Sequence, residues 1–419
     1  MSSEAQYSSL SIKLTKLLPK KVKKDQGIFI TPLCLIRKLY LRIKQFKDEV
    51  GVGEFLRVLE PSCGTCEMIS YLDTVLRGAS IFGVEQNPIL YDHIKELSST
   101  FVNNTVSLKE GDFIMDPTNG EPYDLIFGNP PYFVCKKEQV PSQYREYTSG
   151  RPNIFGTFIL HSLALLKVGG ILGFIVPKSF LNSGYYMKIR NFIKETCSIV
   201  DILDFESNDE FLETQQATMG LILHKKGTMT TASKECAYSL KLGNHFVFSS
   251  NSLQLKNLLL GSTTLSKMGL RVKTGSIVWN ECKDELTSDS SKGTLLLYNS
   301  NINSQNEIEL KDFVNNEEKH QYIMKSGSSD PVLVVNRGNG NSVYKLSWSV
   351  VDGETEYLVE NHLNVIYSPT FVERKNLLKV YSTISKSFKD PRTKQFIKLY
   401  LGNNGLSKTE LESIFPIYL

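Results

Sequence analysis

Between about residues 55 and 225, short apolar runs alternate with helical patterns, and this alternation restricts the fold more tightly than any other feature of the chain. The runs are Phe55–Leu59, Ser80–Val84, Thr105–Leu108, Tyr123–Phe127, Ile171–Val176 and Ile199–Asp204, with Ala217–Leu223 as a last strand. Amphipathic stretches such as Ile89–Leu97, Ile154–Leu166 and Tyr186–Thr196 separate them. Strands alternating with helices argue for a parallel, doubly wound α/β sheet of Rossmann-like type. In such sheets ligands bind beyond the carboxyl ends of the strands, which is where the unusual residues of this chain fall.

At 419 residues the chain exceeds what one core comfortably holds, so two domains are expected. After about residue 228 helical periodicity fades. Ser, Asn, Gly and Lys become frequent there between short β-like pieces at Thr294–Tyr298, Pro331–Val335 and Tyr357–Val359. The expected division is a first domain over residues 1–228 and a mixed, β-rich second one over 229–419. A hydrophobic content of 41% and a charged content of 22% are ordinary for a globular protein. No apolar run reaches the roughly 18 residues that span a bilayer, so no membrane partner is expected. The first residues lack the order of a secretory signal, and seven cysteines in a chain this long read as reduced thiols. An intracellular location is expected: cytoplasm for a bacterial source, host cell or nucleus for a viral or eukaryotic one. The net charge of +4 is mild, but Lys20, Lys21, Lys23 and Lys24 form a run with Lys13 and Lys16 just before it. That run reads as a solvated basic tail or as a phosphate contact, with a nuclear import signal as a third option.

Three acids close successive strands. Val58-Leu59-Glu60-Pro61-Ser62-Cys63-Gly64-Thr65-Cys66 leads a strand into a tight loop of small residues and then a helix. Such a loop lets backbone amides approach a ligand, and the helix N-terminus attracts its negative end. Glu85 of Phe82-Gly83-Val84-Glu85, followed by Gln86, ends the second strand, where a carboxylate can accept from both ribose hydroxyls. Asp112 of Glu110-Gly111-Asp112-Phe113 ends the next, where it could accept from an adenine amine. The three in register point to an adenosyl ligand. Cys63 and Cys66 also form a C-x-x-C. A zinc or redox role competes there, yet no second cysteine pair follows and the chain has only six histidines, so no metal is expected.

The decisive signal is Asp124-Leu125-Ile126-Phe127-Gly128-Asn129-Pro130-Pro131-Tyr132, an apolar strand that ends in Asn, two prolines and an aromatic. The prolines stiffen the loop and leave it presenting carbonyls. An exocyclic amine of adenine has its lone pair delocalised into the ring. The Asn129 side-chain oxygen and the Pro130 carbonyl can accept its two hydrogens and localise that pair, while Tyr132 offers a flat surface to the base. This is positioning and electrostatic stabilisation, with little need for a strong base.

Over about residues 24 to 225 these motifs resemble the N6-adenine DNA methyltransferases of the gamma arrangement, typified by the Taq-type enzyme. The resemblance implies S-adenosylmethionine as cofactor, S-adenosylhomocysteine as product, and duplex DNA as partner. It further implies a flipped-out adenine, a C-terminal target-recognition domain and action as a monomer on DNA; with no convincing nuclease motif in the sequence, a separate restriction endonuclease, or none, is the expected companion. Residue by residue, Thr31 of Gly27-Ile28-Phe29-Ile30-Thr31-Pro32 matches a threonine bordering the cofactor's methionine. Glu60, Glu85 and Asp112 match acids that hold its amine, ribose and adenine; Phe113 matches an aromatic stacked on the adenine. Pro61, Ser62, Cys63, Gly64, Gln86, Asn129 and Pro131 complete the expected cofactor site, with Phe158 from the helix motif Asn153-Ile154-Phe155-Gly156-Thr157-Phe158. Asn129, Pro130, Pro131 and Tyr132 would be catalytic. Tyr186, after Val176-Pro177-Lys178-Ser179-Phe180-Leu181, would supply the second aromatic against the base. The family's loop closes with glycine where Cys66 stands, and cysteine would weaken cofactor binding if the position needs a positive φ.

The C-terminal region resembles the family's recognition domains loosely. Its distinctive stretches are Leu270–Gly275, Asn336–Asn341 and Glu360–His362, and Lys273 and Arg337 are the expected DNA contacts through phosphate or guanine edges. Release-factor glutamine methyltransferases and RNA methyltransferases use a similar Asn-Pro-Pro-aromatic motif, and a catalytically silent DNA-binding subunit is the rival from another class.

Overall fold

The structure is a computed structural model that describes residues 7–116, 120–205, 217–227, 237–243, 245–313, 316, 318–338, 344–401 and 405–419. The chain divides into two compact units, Met1–Lys241 with Phe246–Ser252, and Leu242–His245 with Leu253–Leu419. The expected boundary between residues 228 and 229 lies outside the described residues, as do residues 339–341 of the Asn-rich stretch.

The first unit is a seven-stranded sheet: β1 (Arg57–Glu60), β2 (Ser80–Glu85), β3 (Thr105–Glu110), β4 (Tyr123–Gly128), β5 (Leu166–Pro177), β6 (Cys197–Asp204) and β7 (Thr218–Lys225). Its order is β3-β2-β1-β4-β5-β7-β6. The five strands from β3 to β5 are parallel, as the alternation predicts. The last two depart from it, because β7 slots between β5 and β6 and pairs antiparallel with both. Apolar runs do not record strand direction, so the sequence could not distinguish this edge from the rest.

Among the described residues of this unit the α-helices are α1 (Ser9–Leu17), α2 (Lys20–Gln26), α3 (Leu33–Val50), α4 (Glu67–Val75), α5 (Pro88–Ile94), α6 (Ile154–Leu165) and α7 (Met187–Thr196). They bury both faces of the sheet. Leu125 and Phe127 of β4 pack into a core with Leu35, Ile36 and Leu39 of α3 and Ile69 and Leu72 of α4. Ile126, between them, points the other way into a core with Phe155, Ile159 and Leu163 of α6 and Ile189 and Ile193 of α7. The period-two alternation of a strand places one chain segment in two cores.

The second unit holds a four-stranded antiparallel sheet in the order Arg271–Thr274, Leu363–Tyr367, Val332–Asn336, Trp348–Val351. A second sheet joins Leu286–Thr287, Tyr322–Ile323, Thr294–Leu297 and Tyr357–Val359. It is β-rich as expected, but Arg374–Phe388, Pro391–Tyr400 and Lys408–Ser413 are helices that the fading periodicity did not announce. No described helix of either unit is long and apolar enough to cross a membrane.

Candidate active site

The carboxyl ends of β1, β2, β3 and β4 face one cavity. Thr31, Glu60 through Gly64, Glu85, Gln86, Asp112, Phe113, Asn129, Pro131 and Phe158 all line it. The position follows from strand order: β1 is flanked by β2 and β4, so successive connections leave it in opposite directions and open a crevice there.

Glu60 ends β1 at the mouth of α4. It is 3% exposed, and its Oε2 has no hydrogen-bond partner. Burial raises its carboxyl well above the usual value, with the Ile69 backbone N–H opposing part of that effect. A buried carboxylate oxygen left open toward a cavity fits a cationic ligand group such as an ammonium. Glu85 is also buried and raised by desolvation. It accepts the Gly64 N–H at 2.7 Å through one oxygen and the Asn87 N–H at 2.8 Å through the other. A carboxylate oxygen has two acceptor directions, so each retains one for a diol. Asp112 is fixed by the Ile114 N–H at 2.9 Å and by the Gln86 side chain at 3.2 Å. The Phe113 ring lies against Phe158, centroids 5.1 Å apart, and forms an apolar wall beside that acid.

Cys66 answers the question raised by its replacement of glycine. It is the N-cap of α4 with φ 62 and ψ 23, a left-handed conformation that costs an L-residue roughly 1–2 kcal/mol. The strain is tolerated in a fully buried position where its N–H reaches the Cys63 carbonyl at 2.7 Å. Cys63 is buried as well. The Cys66 thiol beside it, together with burial, holds its thiol well above the ordinary value. Neutral, enclosed thiols are poor nucleophiles and poor metal ligands.

Asn129 follows β4. Its amide nitrogen donates to the Thr31 hydroxyl at 2.9 Å and the Phe29 carbonyl at 3.2 Å, and its own carbonyl accepts from Ser62 at 3.1 Å. A carbonyl can only accept, so the Phe29 oxygen decides which way the amide points and leaves Oδ1 on the other side. The Tyr132 hydroxyl meets Oδ1 there and also reaches the Ile175 carbonyl at 2.8 Å. Tyr132 is only 7% exposed, with its ring stacked on Phe29 at 5.9 Å and edge-on to Phe155 at 6.1 Å. The expected flat, open surface is therefore a covered one in this structure. Gly27 explains part of the fit: at φ 62, a Cβ there would fall 2.4 Å from the Tyr132 backbone nitrogen.

Tyr186 lies beside the same aromatic group, its ring 4.9 Å from Phe155 and 5.6 Å from Phe180, with burial pushing its hydroxyl up to about 12. Tyr132 and Tyr186 thus share Phe155 as a neighbour, although neither tyrosine lines the cavity, nor does Pro130. The segment before Tyr186 is held by Arg190, which belongs to no motif and was not singled out. Fully buried on α7, it donates at 2.8 Å to the carbonyls of Phe180, Ser183 and Phe246.

Other wall residues were also missed. Leu14, Thr15, Leu18, Lys23 and Gln26 come from α1 and α2, inside the basic segment that reads as a solvated tail or a phosphate contact. Lys20, Lys21 and Lys24 are exposed as expected, whereas Lys23 is buried and donates to the Thr15 carbonyl at 2.8 Å. In the second unit, Lys273 is exposed on an edge strand with its ammonium 5.0 Å from the Tyr367 ring, in a cleft also lined by Phe371 and Arg374. Arg337 lies outside that cleft and donates to the Asn361 carbonyl at 3.0 Å.

Comparison with known proteins agrees with this architecture. Residues 25–211 match the Eco57I restriction-modification methylase family. The chain is 27% identical over 426 residues to modification methylase CviBIII of Paramecium bursaria Chlorella virus NC1A, covering 99% of both chains. It is 28% identical to the type II methyltransferase M.CvrRI of Paramecium bursaria Chlorella virus XZ-6E, covering 98% of this chain and 99% of that one. Among solved structures, the DrdV–DNA complex shares the fold with a TM-score of 0.51 at 12% identity, over 92% of this chain and 54% of that one. Strand order, the acids at the strand ends and these matches converge on one resemblance: the chain is similar to the modification methylases of restriction–modification systems.

Proposed function

We propose that the chain methylates N6 of adenine at a specific site in duplex DNA, acting as a monomer on a flipped-out base. The observation that carries this reading is Asn129: its amide is oriented by Thr31 and Phe29 so that an acceptor oxygen stands at the junction of the cofactor cavity and the aromatic group. Bound S-adenosylmethionine supplies an electrophilic methyl. Glu60 would take its ammonium, Glu85 its ribose hydroxyls, and Asp112 its adenine amine against the apolar wall formed by Phe113 and Phe158.

The chain's remaining work is on the base. Asn129 Oδ1 and the Pro130 carbonyl accept the two N6 hydrogens and turn the lone pair out of conjugation. The Tyr132 hydroxyl has two acceptors and one proton. When that proton goes to the Ile175 carbonyl, Asn129 Oδ1 is released for the amine. Tyr132 stays neutral throughout, since burial holds its hydroxyl well above the ordinary value. Tyr132 and Tyr186 enclose the extruded ring, which must leave the stack because a paired base cannot reach an enclosed site. The second unit reads the target sequence, with Lys273 and Arg337 as contacts, the latter steadied by its bond to the Asn361 carbonyl.

The test is to incubate the protein with radiolabelled S-adenosylmethionine and unmethylated mixed-sequence duplex, beside Asn129→Ala, and to separate the digested nucleosides. Label in N6-methyladenosine that disappears in the variant is expected. Label only in parallel reactions with RNA or release factor would keep the methyl transfer and overturn the substrate.

A further inference from the structure

The first two helices form the outer wall of the cofactor cavity, and the way they are fastened carries a consequence for how the cavity fills and empties. Ser8 caps α1 by accepting the Ser11 N–H at 3.1 Å, and the pattern Ser11, Leu14, Leu18 turns one face inward. Leu14 and Leu18 are 0% and 3% exposed, but they pack with Leu90, Leu10 and Ile28 in a small cluster that meets a core of the sheet through Leu10. The described polar attachments of the two helices to the rest of the sheet unit land on segments that also shape the cavity. The Ser8 N–H donates to Glu67 Oε1 at 2.8 Å; the Ser11 hydroxyl meets the Thr65 hydroxyl at 2.6 Å and also donates to Glu67. At the far end, Asn87 donates to the Gln26 side chain at 2.7 Å, while its backbone N–H holds Glu85. Thr65 and Glu67 continue the Cys63-Gly64 loop into α4, and both line the cavity.

We propose that α1 and α2 form a strap over the cofactor, with the Ser11–Thr65–Glu67 contact as its latch, so that opening of the strap sets the rates at which cofactor is admitted and product released. The proposal rests on reading the cavity as the S-adenosylmethionine site. A ligand walled in part by α1 and α2 exchanges faster when they move aside, and every turnover requires such an exchange. Segments that move in this way come from the weakly held end of a structure, with few apolar contacts and bonds near the surface. The strap meets that description, whereas α3, with five buried residues in a main core, does not. Ser11 is thus a positioning residue, acting on the ligand through Thr65 and Glu67.

A strap and a fixed wall differ in kinetics. Loosening a fixed wall lowers affinity without speeding association. Loosening a strap speeds both association and dissociation. The experiment measures both rate constants for S-adenosylhomocysteine by surface plasmon resonance on immobilised full-length protein, without DNA. Ser11→Ala and Glu67→Gln break the latch from opposite sides, so either one suffices if the other fails to fold, and Ser11→Thr keeps the hydroxyl as the conservative control. Dissociation is expected to rise about tenfold, association is expected to rise with it, and Tm is expected to stay close to wild type, with wild-type rates in Ser11→Thr. Unchanged rates, or a loss of affinity without faster association, would overturn the strap alone. A wild-type protein that binds no S-adenosylhomocysteine would overturn the cofactor reading and the strap with it.

Discussion

The cofactor cavity and the aromatic group around Phe155 meet at Asn129, but they are built in opposite ways. Along the cavity, polar groups are fixed from behind and left open in front: Glu60 keeps a buried oxygen without a partner, and Glu85 is set by two backbone N–H groups. In the aromatic group the members are closed on each other. Tyr132 is covered by Phe29 and Phe155 and spends its hydroxyl on Asn129 and Ile175, while Tyr186 rests on Phe155 and Phe180. A small charged ligand is bound by preformed electrostatics, because moving dipoles into place afterwards is costly. A planar base is held by dispersion and stacking, and rings already packed together can part to admit another ring at little net loss of contact.

The strongest way to break this comparison is at the junction. Asn129→Ala should reduce single-turnover methyl transfer by at least about 10²–10³-fold, the scale of losing one aligned polar group in a reacting site. S-adenosylhomocysteine affinity should change far less, since Asn129 is one wall residue among many. Equal losses in both would mean that the residue serves the cavity and not the base.

Next in size is Glu60→Gln, expected to weaken S-adenosylmethionine binding by roughly 10- to 100-fold, as for a lost hydrogen bond to a charged group. It also carries a pH signature. The folded carboxyl sits well above its usual value of 4.5, so it is protonated over a range in which an ordinary glutamate is ionised. A cationic ligand needs the ionised form, so wild-type affinity should rise with pH through the raised value and then level off, while Glu60→Gln stays flat. Stability of the unliganded protein runs the other way. The folded state holds the proton more tightly than the unfolded one, so this group's contribution is full below about 4.5 and is lost as pH rises through the raised value. Thermal melts across pH, with and without ligand, check both signs.

Tyr186→Ala probes the aromatic group and should cost roughly 1–3 kcal/mol in binding of target-containing DNA, the scale of one base–aromatic contact. Cofactor affinity should be unaltered, because Tyr186 does not line the cavity. A drop in both would join the two regions that the structure separates.

The smallest effect is expected for Cys66→Gly. Relief of the left-handed strain, roughly 1–2 kcal/mol, is offset by loss of a fully buried side chain and by the freer unfolded chain. Tm should move by no more than a few degrees. A large gain in cofactor affinity would mean that the cysteine also distorts the loop.

Sequence by itself determined the parallel core, the order of the acids at Glu60, Glu85 and Asp112, and the Asn129-Pro130-Pro131-Tyr132 loop. Each of these is a local signal: strand periodicity, loop chemistry and motif spacing lie within a few residues and need no distant partner. Tertiary structure alone decided three other matters. The antiparallel β7 edge depends on which neighbour a strand meets, which apolar runs do not encode. The lysine segment reads as a tail because its charges dominate, yet Ser11, Leu14, Leu18 and Lys23 turn inward to wall the cavity, and that face has meaning only against Thr65, Glu67 and Leu90. Arg190 looks like any helical cation until it proves buried beneath three carbonyls. Long-range partners fixed each of these, because the free energy of burying a group is set by what surrounds it and not by its neighbours in the chain.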